Sequence, residues 1–247
     1  MNLLLFRENE LSSDGVILIN DSRVEHLLKI LKVRLNSSIK VGQVGGEIGL
    51  AQVVAIGSQG VSLQIESLDM PSVDANVTML LAMPRPQMLK RVLELIPQFG
   101  VSELHLVSSK KVEKSYFSSP LLKEENYSPY LIRGMQQAMV TTEPKVFIWK
   151  SFYDFQKSSG AVVAEDELGI IAEVGGNETL LSLKNQILNV NKVRFAVGPE
   201  GGWTDDEIVF FQSKGFSLVN LGKRVLRVDM AVCSLLAQQD LLRSSEL

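Results

Sequence analysis

The chain has 247 residues, of which 45% are hydrophobic and 21% charged, and its formal net charge is −3. This suits one large domain or two smaller ones with real cores. The single cysteine, Cys233, excludes an internal disulfide, and with only two histidines, far from it in sequence, no metal site is expected. No apolar stretch reaches the roughly 18 residues of a membrane span, and the opening MNLLLF is too short for a signal-peptide core, so the expected location is the cytoplasm and no membrane partner is expected.

Residues 1–70 read as β-rich. A strand is expected at 16–19 and a short helix at 22–31, with Val24, Leu27, Leu28 and Leu31 on one face. Strands follow at 38–44, 47–56 and 60–65, separated by glycine turns such as Gly45-Gly46. Short strands at this spacing suggest a small barrel. Arg23, Lys29, Lys32, Arg34 and Lys40 face only Glu25 in residues 23–40. That local excess suits a phosphate backbone, and it equally suits an ordinary solvated surface. The polar stretch 67–76, with Pro71, reads as a linker.

From residue 77 the pattern changes. The apolar run 77–83 fits a strand buried on both faces. A helical stripe occupies 87–99 (Leu89, Val92, Leu93, Ile96), with Gly100 placed to end it. Then come a strand at 103–107, a helix over 121–139, a strand at 146–148, a strand end at 161–164 and a helix at 179–189. The chain closes with strands at 193–197 and 216–221 and helices at 205–214 and 228–243. Strands alternating with helices predict an α/β domain with a parallel sheet over 77–247. Cys233 falls on an apolar helical face and reads as a core thiol. His26 and His105 read as structural, and Tyr116 and Phe117 as packing or base-stacking residues.

Gly198-Pro199-Glu200-Gly201-Gly202 stands between a strand and a helix. Glycines let backbone groups approach a ligand with no Cβ in the way. Thr204 and Glu207 have capping-box spacing, and Asp205, Asp206 and Glu207 fill the first helical turn. A polyphosphate would meet three carboxylates and no P-loop lysine, so a neutral or cationic ligand fits better. About twenty residues on comes Leu221-Gly222-Lys223-Arg224-Val225-Leu226-Arg227, followed by the last helix.

Together these two motifs resemble those of the SPOUT class of RNA methyltransferases, and within it the 16S rRNA uracil-N3 methyltransferase family. The likeness is specific over 195–231. Where that family usually follows its second arginine with Glu-Thr-Ala or Glu-Thr-Thr, this chain has Val228-Asp229-Met230-Ala231. In the central region, QQAMVTT at 136–142 replaces a Glu-Gln-x-x-Arg type of motif, which marks a diverged branch. The resemblance implies an N-terminal PUA-like β-barrel, a SPOUT-type trefoil-knotted α/β domain and a homodimer formed through the knotted region. It also implies S-adenosylmethionine as methyl donor and ribosomal RNA of the small subunit as partner.

Ligands of open α/β sheets sit beyond the carboxyl ends of strands. Three loops are therefore expected to bind the donor: Ala164-Glu165, Val197 with Gly198–Gly202, and Leu221, Gly222, Val225 and Leu226. Uracil N3 must lose its proton, so a guanidinium is the natural stabiliser. Arg227 is the first catalytic candidate, Arg224 the second and Glu200 a third, while Arg23, Lys29, Lys32 and Arg34 are the candidate RNA contacts. The alternatives are a SPOUT enzyme acting on another base or a ribose 2′-hydroxyl, and an assembly factor that binds RNA without methyl transfer.

Overall fold

The computed structural model describes residues 3–71 and 76–244. The chain forms two compact units, one of residues 1–74 with 132–143, the other of 75–131 with 144–247.

In the first unit a five-stranded sheet has the order β1 (Leu4–Phe6), β3 (Ser38–Gln43), β4 (Ile48–Gly57), β5 (Gly60–Met70), β2 (Val16–Ile19). Only the β1–β3 pairing is parallel. Alternation sets the faces: Ile17 and Ile19 of β2 are buried while Leu18 between them is exposed. They join Phe6, Leu27, Val41, Val53, Val61 and Leu63 in one core. Gly60 has φ +123°, and a Cβ there would stand 2.0 Å from the Ile19 carbonyl oxygen, so only glycine serves at this turn. The helix expected over 22–31 is the single turn α1 (Arg23–Glu25) running into a π turn, His26–Ile30.

A second apolar cluster joins Leu3, Leu5 and Met135, with Ile132, Met139 and Val140 against them. The Thr141 carbonyl accepts from the Gly45 amide at 2.8 Å, and Gly42 leaves room for the Thr141 methyl, which a Cβ would meet at 2.8 Å. Residues 132–143, expected in the downstream domain, thus pack with the upstream strands. The expected linker is corrected too. Residues 67–70 continue β5, because the strand carries on pairing with β4, and residues 72–75 lie outside the described residues.

In the second unit, among the described residues, six strands form a sheet of order β11-β9-β10-β6-β7-β8. They are β6 (Val77–Ala82), β7 (Val101–Val107), β8 (Lys145–Trp149), β9 (Glu167–Ala172), β10 (Lys192–Val197) and β11 (Phe216–Val219), and every pairing is parallel. Every residue of β6 is buried, and its alternation supplies two cores. Met79 and Leu81 pack with α2 (Pro86–Leu95), α5 (Lys184–Asn189) and α7 (Val228–Ser244) through Leu93, Ile187 and Leu235. Leu80 and Ala82 pack on the other face with Phe155 of α4 (Phe152–Gln156) and Phe211 of α6 (Asp205–Ser213). The helix α3 (Glu124–Ala138) starts in this unit, and its residues from 132 on belong to the first. Gly100 ends the turn after α2 with φ +66°. Cys233 on α7 is half-buried.

One strand was misplaced by the sequence pattern. Residues 161–164 are a turn and a loop, and the strand is β9, which begins at Glu167. Gly169 interrupts its apolar run. The interruption has a packing cause, since a Cβ there would lie 2.9 Å from the ring of Phe216, its partner on β11.

Candidate active site

Loops following the carboxyl ends of β6, β9, β10 and β11 surround a cavity of about 660 Å³, a size typical of small-molecule sites. Its lining includes Val197, Gly198, Pro199, Glu200, Gly201 and Gly202 after β10, and Leu221, Gly222, Arg224, Val225, Leu226 and Arg227 after β11. Ala172, Glu173 and Val174 supply the β9 side, and Arg85 and Met88 the β6 side.

Two of the three expected loops therefore meet, and the third is corrected. Ala164 and Glu165 precede β9, at its amino end, and the β9 residues on the cavity are Ala172–Val174. The error follows from the misplaced strand. The signal that could have found it is the apolar run Leu168–Ile171, with Glu-Val-Gly-Gly behind it. Arg85 and Met88 were missed because they come from the loop and first turn that follow a strand far upstream in sequence.

The β10–α6 loop is fixed by local chemistry. The Gly202 amide donates to the Pro199 carbonyl at 2.8 Å, and Gly202 has φ +68°. A Cβ on Gly198 would come within 3.1 Å of the Trp203 amide nitrogen. The Thr204–Glu207 capping box forms, with the Thr204 amide donating to Glu207 Oε2 at 2.8 Å. The other carboxylate oxygen of buried Glu207 accepts from the Lys110 amide at 2.8 Å. Lys111 Nζ then donates to the carbonyls of Gly201 at 2.8 Å and Trp203 at 2.9 Å. After β11, Asn220 ties the second loop. Its amide donates to the Gly176 carbonyl at 2.7 Å and its oxygen accepts from the Gly222 amide at 3.2 Å.

Charge is arranged around the rim. Arg85 has its pKa raised, first by a hydrogen bond with the Tyr116 hydroxyl and further by the nearby Glu200 carboxylate. Tyr116 also packs against the larger core. Arg227 Nη2 lies 3.3 Å from Oδ2 of Asp229, and Arg91 Nη1 lies 3.4 Å from the same oxygen. Asp229 is buried, whereas the side chains of both arginines are 62% exposed. Arg224 is exposed and makes no ion pair among the described residues.

The expected RNA contacts divide. Arg23 is corrected, because its guanidinium is already engaged. It pairs with Glu10, with Asp21 at 2.7 Å and with the Leu5 carbonyl at 2.9 Å, which makes it an internal pin. The Asp21 carboxyl is held below its usual range mainly by that hydrogen bond. Lys29 is exposed and pairs with Glu25 at 2.8 Å. Lys32 and Arg34 are exposed and make no ion pair among the described residues.

Among the described residues no group of three or more His, Cys, Asp or Glu is placed to hold a metal ion, and no helix is long and apolar enough to cross a membrane. A family model for the RNA methyltransferase domain matches residues 71–239. Over 237 residues the chain is 29% identical to the Ribosomal RNA small subunit methyltransferase E of Treponema pallidum, covering 95% of this chain and 88% of that protein. It is 27% identical to the Ribosomal RNA small subunit methyltransferase E 1 of Borreliella burgdorferi, covering 94% of each. Among solved structures, the fold matches a Ribosomal RNA small subunit methyltransferase E from Neisseria gonorrhoeae bound to S-adenosyl methionine. There the TM-score is 0.78 at 22% identity, with 98% of both chains covered. It also matches a probable rRNA-methyltransferase from Porphyromonas gingivalis, with a TM-score of 0.75 at 20% identity, covering 99% of this chain and 100% of that one. By the match over residues 71–239, the chain belongs to the RNA methyltransferase domain family.

Proposed function

We propose that the chain transfers a methyl group from S-adenosylmethionine to N3 of a uridine in 16S rRNA. The observation that carries the reading is the cavity itself, where the glycine loop after β10 and the arginine-bearing loop after β11 line one space. The small-subunit relatives and the donor-bound neighbour support the choice of substrate and donor.

The residues present fit the donor. Backbone groups of 197–202 and 221–226 are available to the polar edge of an adenine, and Ala172, Val225 and Leu226 offer apolar walls. Glu173 and Glu200 give the negative charge that suits a cationic ligand. When bound, S-adenosylmethionine supplies an electrophilic methyl on a sulfonium. Arg227 holds its permanent charge where negative charge develops on the N3 side of the base, the kind of stabilisation that is usually the largest catalytic contribution. Arg224, at the same rim, is the second candidate, and Glu200 reaches the site beside Arg85.

The wider reading follows the family resemblance. The first unit is a PUA-like barrel that docks RNA phosphates through Lys29, Lys32 and Arg34. The second is a knotted domain through which two copies pair, in the cytoplasm. The test is methyl transfer from labelled donor to small ribosomal subunits of a strain lacking this gene, followed by mapping of the modified nucleotide. Label at a ribose, or at an atom other than uridine N3, overturns the target.

A further inference from the structure

Asp229 is 4% exposed, yet its side-chain partners are two guanidiniums that face solvent. One carboxylate oxygen serves both Arg227 Nη2, at 3.3 Å, and Arg91 Nη1, at 3.4 Å, while the other accepts from the Met230 amide at 3.0 Å. Ion pairs to such exposed cations add little stability, and burying a carboxylate is costly unless it is well paired. The arrangement is therefore poorly explained as a stabilising bridge. Its place in the first turn of α7 sets its negative charge at the favourable end of the helix dipole.

Charge points the same way. Two cations share one anion, so the triad carries a surplus positive charge at the edge of the cavity. Arg227 lines that cavity, while Arg91 stands on α2 outside the lining. A planar guanidinium with free donors suits a phosphate.

We propose that Asp229 is a positioning residue that orients Arg227 toward the reacting base and Arg91 outward, where Arg91 binds a phosphodiester of the RNA strand next to the target nucleotide. The proposal rests on the reading of the cavity as an RNA methyl-transfer site.

The test uses the full chain and a labelled, unmodified 16S rRNA transcript. Arg91→Ala weakens RNA binding roughly five- to tenfold at low salt and makes its dependence on log salt shallower by about 0.7 to 1. In methyl transfer the deficit falls mainly on the RNA concentration at half-maximal rate. Asp229→Asn behaves oppositely. RNA affinity holds or rises and the salt dependence steepens, because the triad has lost its anion, while the saturated single-turnover rate drops about tenfold or more. Asp229→Glu, which keeps the charge, recovers part of that rate.

A purely structural role for Asp229 would lower stability, RNA affinity and rate together, and that pattern overturns the proposal. If Asp229→Asn does not fold, Arg91→Ala decides alone: wild-type affinity and salt slope in that variant sink the phosphate site. A wild-type chain that moves no methyl to small ribosomal subunits of a strain lacking this gene, while Arg91→Ala still flattens the salt slope on the transcript, overturns the functional reading and leaves the phosphate site standing.

Discussion

Lys111 Nζ sits 2.8 Å from the carbonyl oxygen of Gly201, so the loop that ends β10 is held from the loop that ends β7. A Cβ on Gly201 would point at the Lys111 chain, 3.2 Å from its Cδ, and that flexible chain can give way. Gly202 differs. A Cβ there meets nothing, yet its φ of +68° is strained for any side chain. Gly202→Val is therefore expected to cost about 1–2 kcal/mol of backbone strain and to distort the cavity wall. Isothermal titration with S-adenosylmethionine should lose most of the binding heat in Gly202→Val and much less in Gly201→Ala. Equal affinities in the two variants would remove the turn from the donor site.

Arg227→Ala is expected to lower the single-turnover methyl-transfer rate by roughly 100-fold or more at saturating RNA and donor. Dissociation constants should move far less, because the interaction strengthens mainly in the transition state. Arg227→Lys should recover only part, since an ammonium lacks the planar fork. A normal rate in Arg227→Ala would shift attention to Arg224 and Glu200.

Glu207 is buried, caps α6 and accepts from the Lys110 amide. Glu207→Ala removes the cap interaction and leaves that amide without its acceptor, for a loss of about 2–3 kcal/mol. Urea unfolding measures this directly. A shift under half a kilocalorie, as about expected for an unimportant surface site, would contradict the account of the loop.

His105 predicts acid sensitivity. Burial is the main cause that pushes its pKa down to about 4; the Glu103 carboxylate, 3.5 Å away, opposes this and the charge of Arg194 adds to it. Trp149 Nε1 donates to His105 Nδ1 at 3.1 Å, which suits the neutral ring. The unfolded chain binds the proton near pH 6.5. Between about 6.5 and about 4 the unfolded state thus holds more protons. This contribution is fully present above pH 6.5 and is lost as pH falls toward 4. The loss by pH 4.5 is about 2–3 kcal/mol. His105→Phe should shrink the stability difference between pH 7 and 4.5 by about that amount; an unchanged difference would refute it.

In the first unit, Arg23 and the pair Lys32 and Arg34 should separate stability from RNA binding. Arg23→Ala breaks the contacts to Glu10, Asp21 and the Leu5 carbonyl, at about 1–2 kcal/mol. Lys32→Glu with Arg34→Glu should instead leave the melting temperature within a few degrees and flatten the salt dependence of RNA binding by about one or more. Unchanged salt dependence in the double variant would show that RNA docks elsewhere.

Much of the site could be read from sequence because its signals are local. The Thr204–Glu207 box, the turn glycines and the apolar run of β10 each act within a few residues, so the β10–α6 loop stood where its chemistry put it. The β9 contribution was hidden by Gly169, whose small size answers both to Val163, 2.7 Å from where a Cβ would stand, and to Phe216 far along the chain. Arg85, Met88 and Arg91 were out of reach for the same reason, since a parallel sheet brings together strand ends that lie more than a hundred residues apart. Arg23 misled in the opposite way. A charge count shows an available cation, whereas its acceptors at Leu5, Glu10 and Asp21 are fixed only once the chain has turned back on itself.

The return of residues 132–143 to the first unit has a consequence for biosynthesis. Leu3 and Leu5 emerge from the ribosome early, but Met135, which completes their cluster, emerges more than a hundred residues later. Domains usually fold in order as they are made. Here the amino-terminal unit can gather its own sheet but must wait with one apolar face uncovered while β6, β7 and most of α3 are synthesised. A nascent chain arrested near residue 100 should therefore be a better chaperone client and protease substrate than one arrested past residue 175, once the covering segment has cleared the exit tunnel.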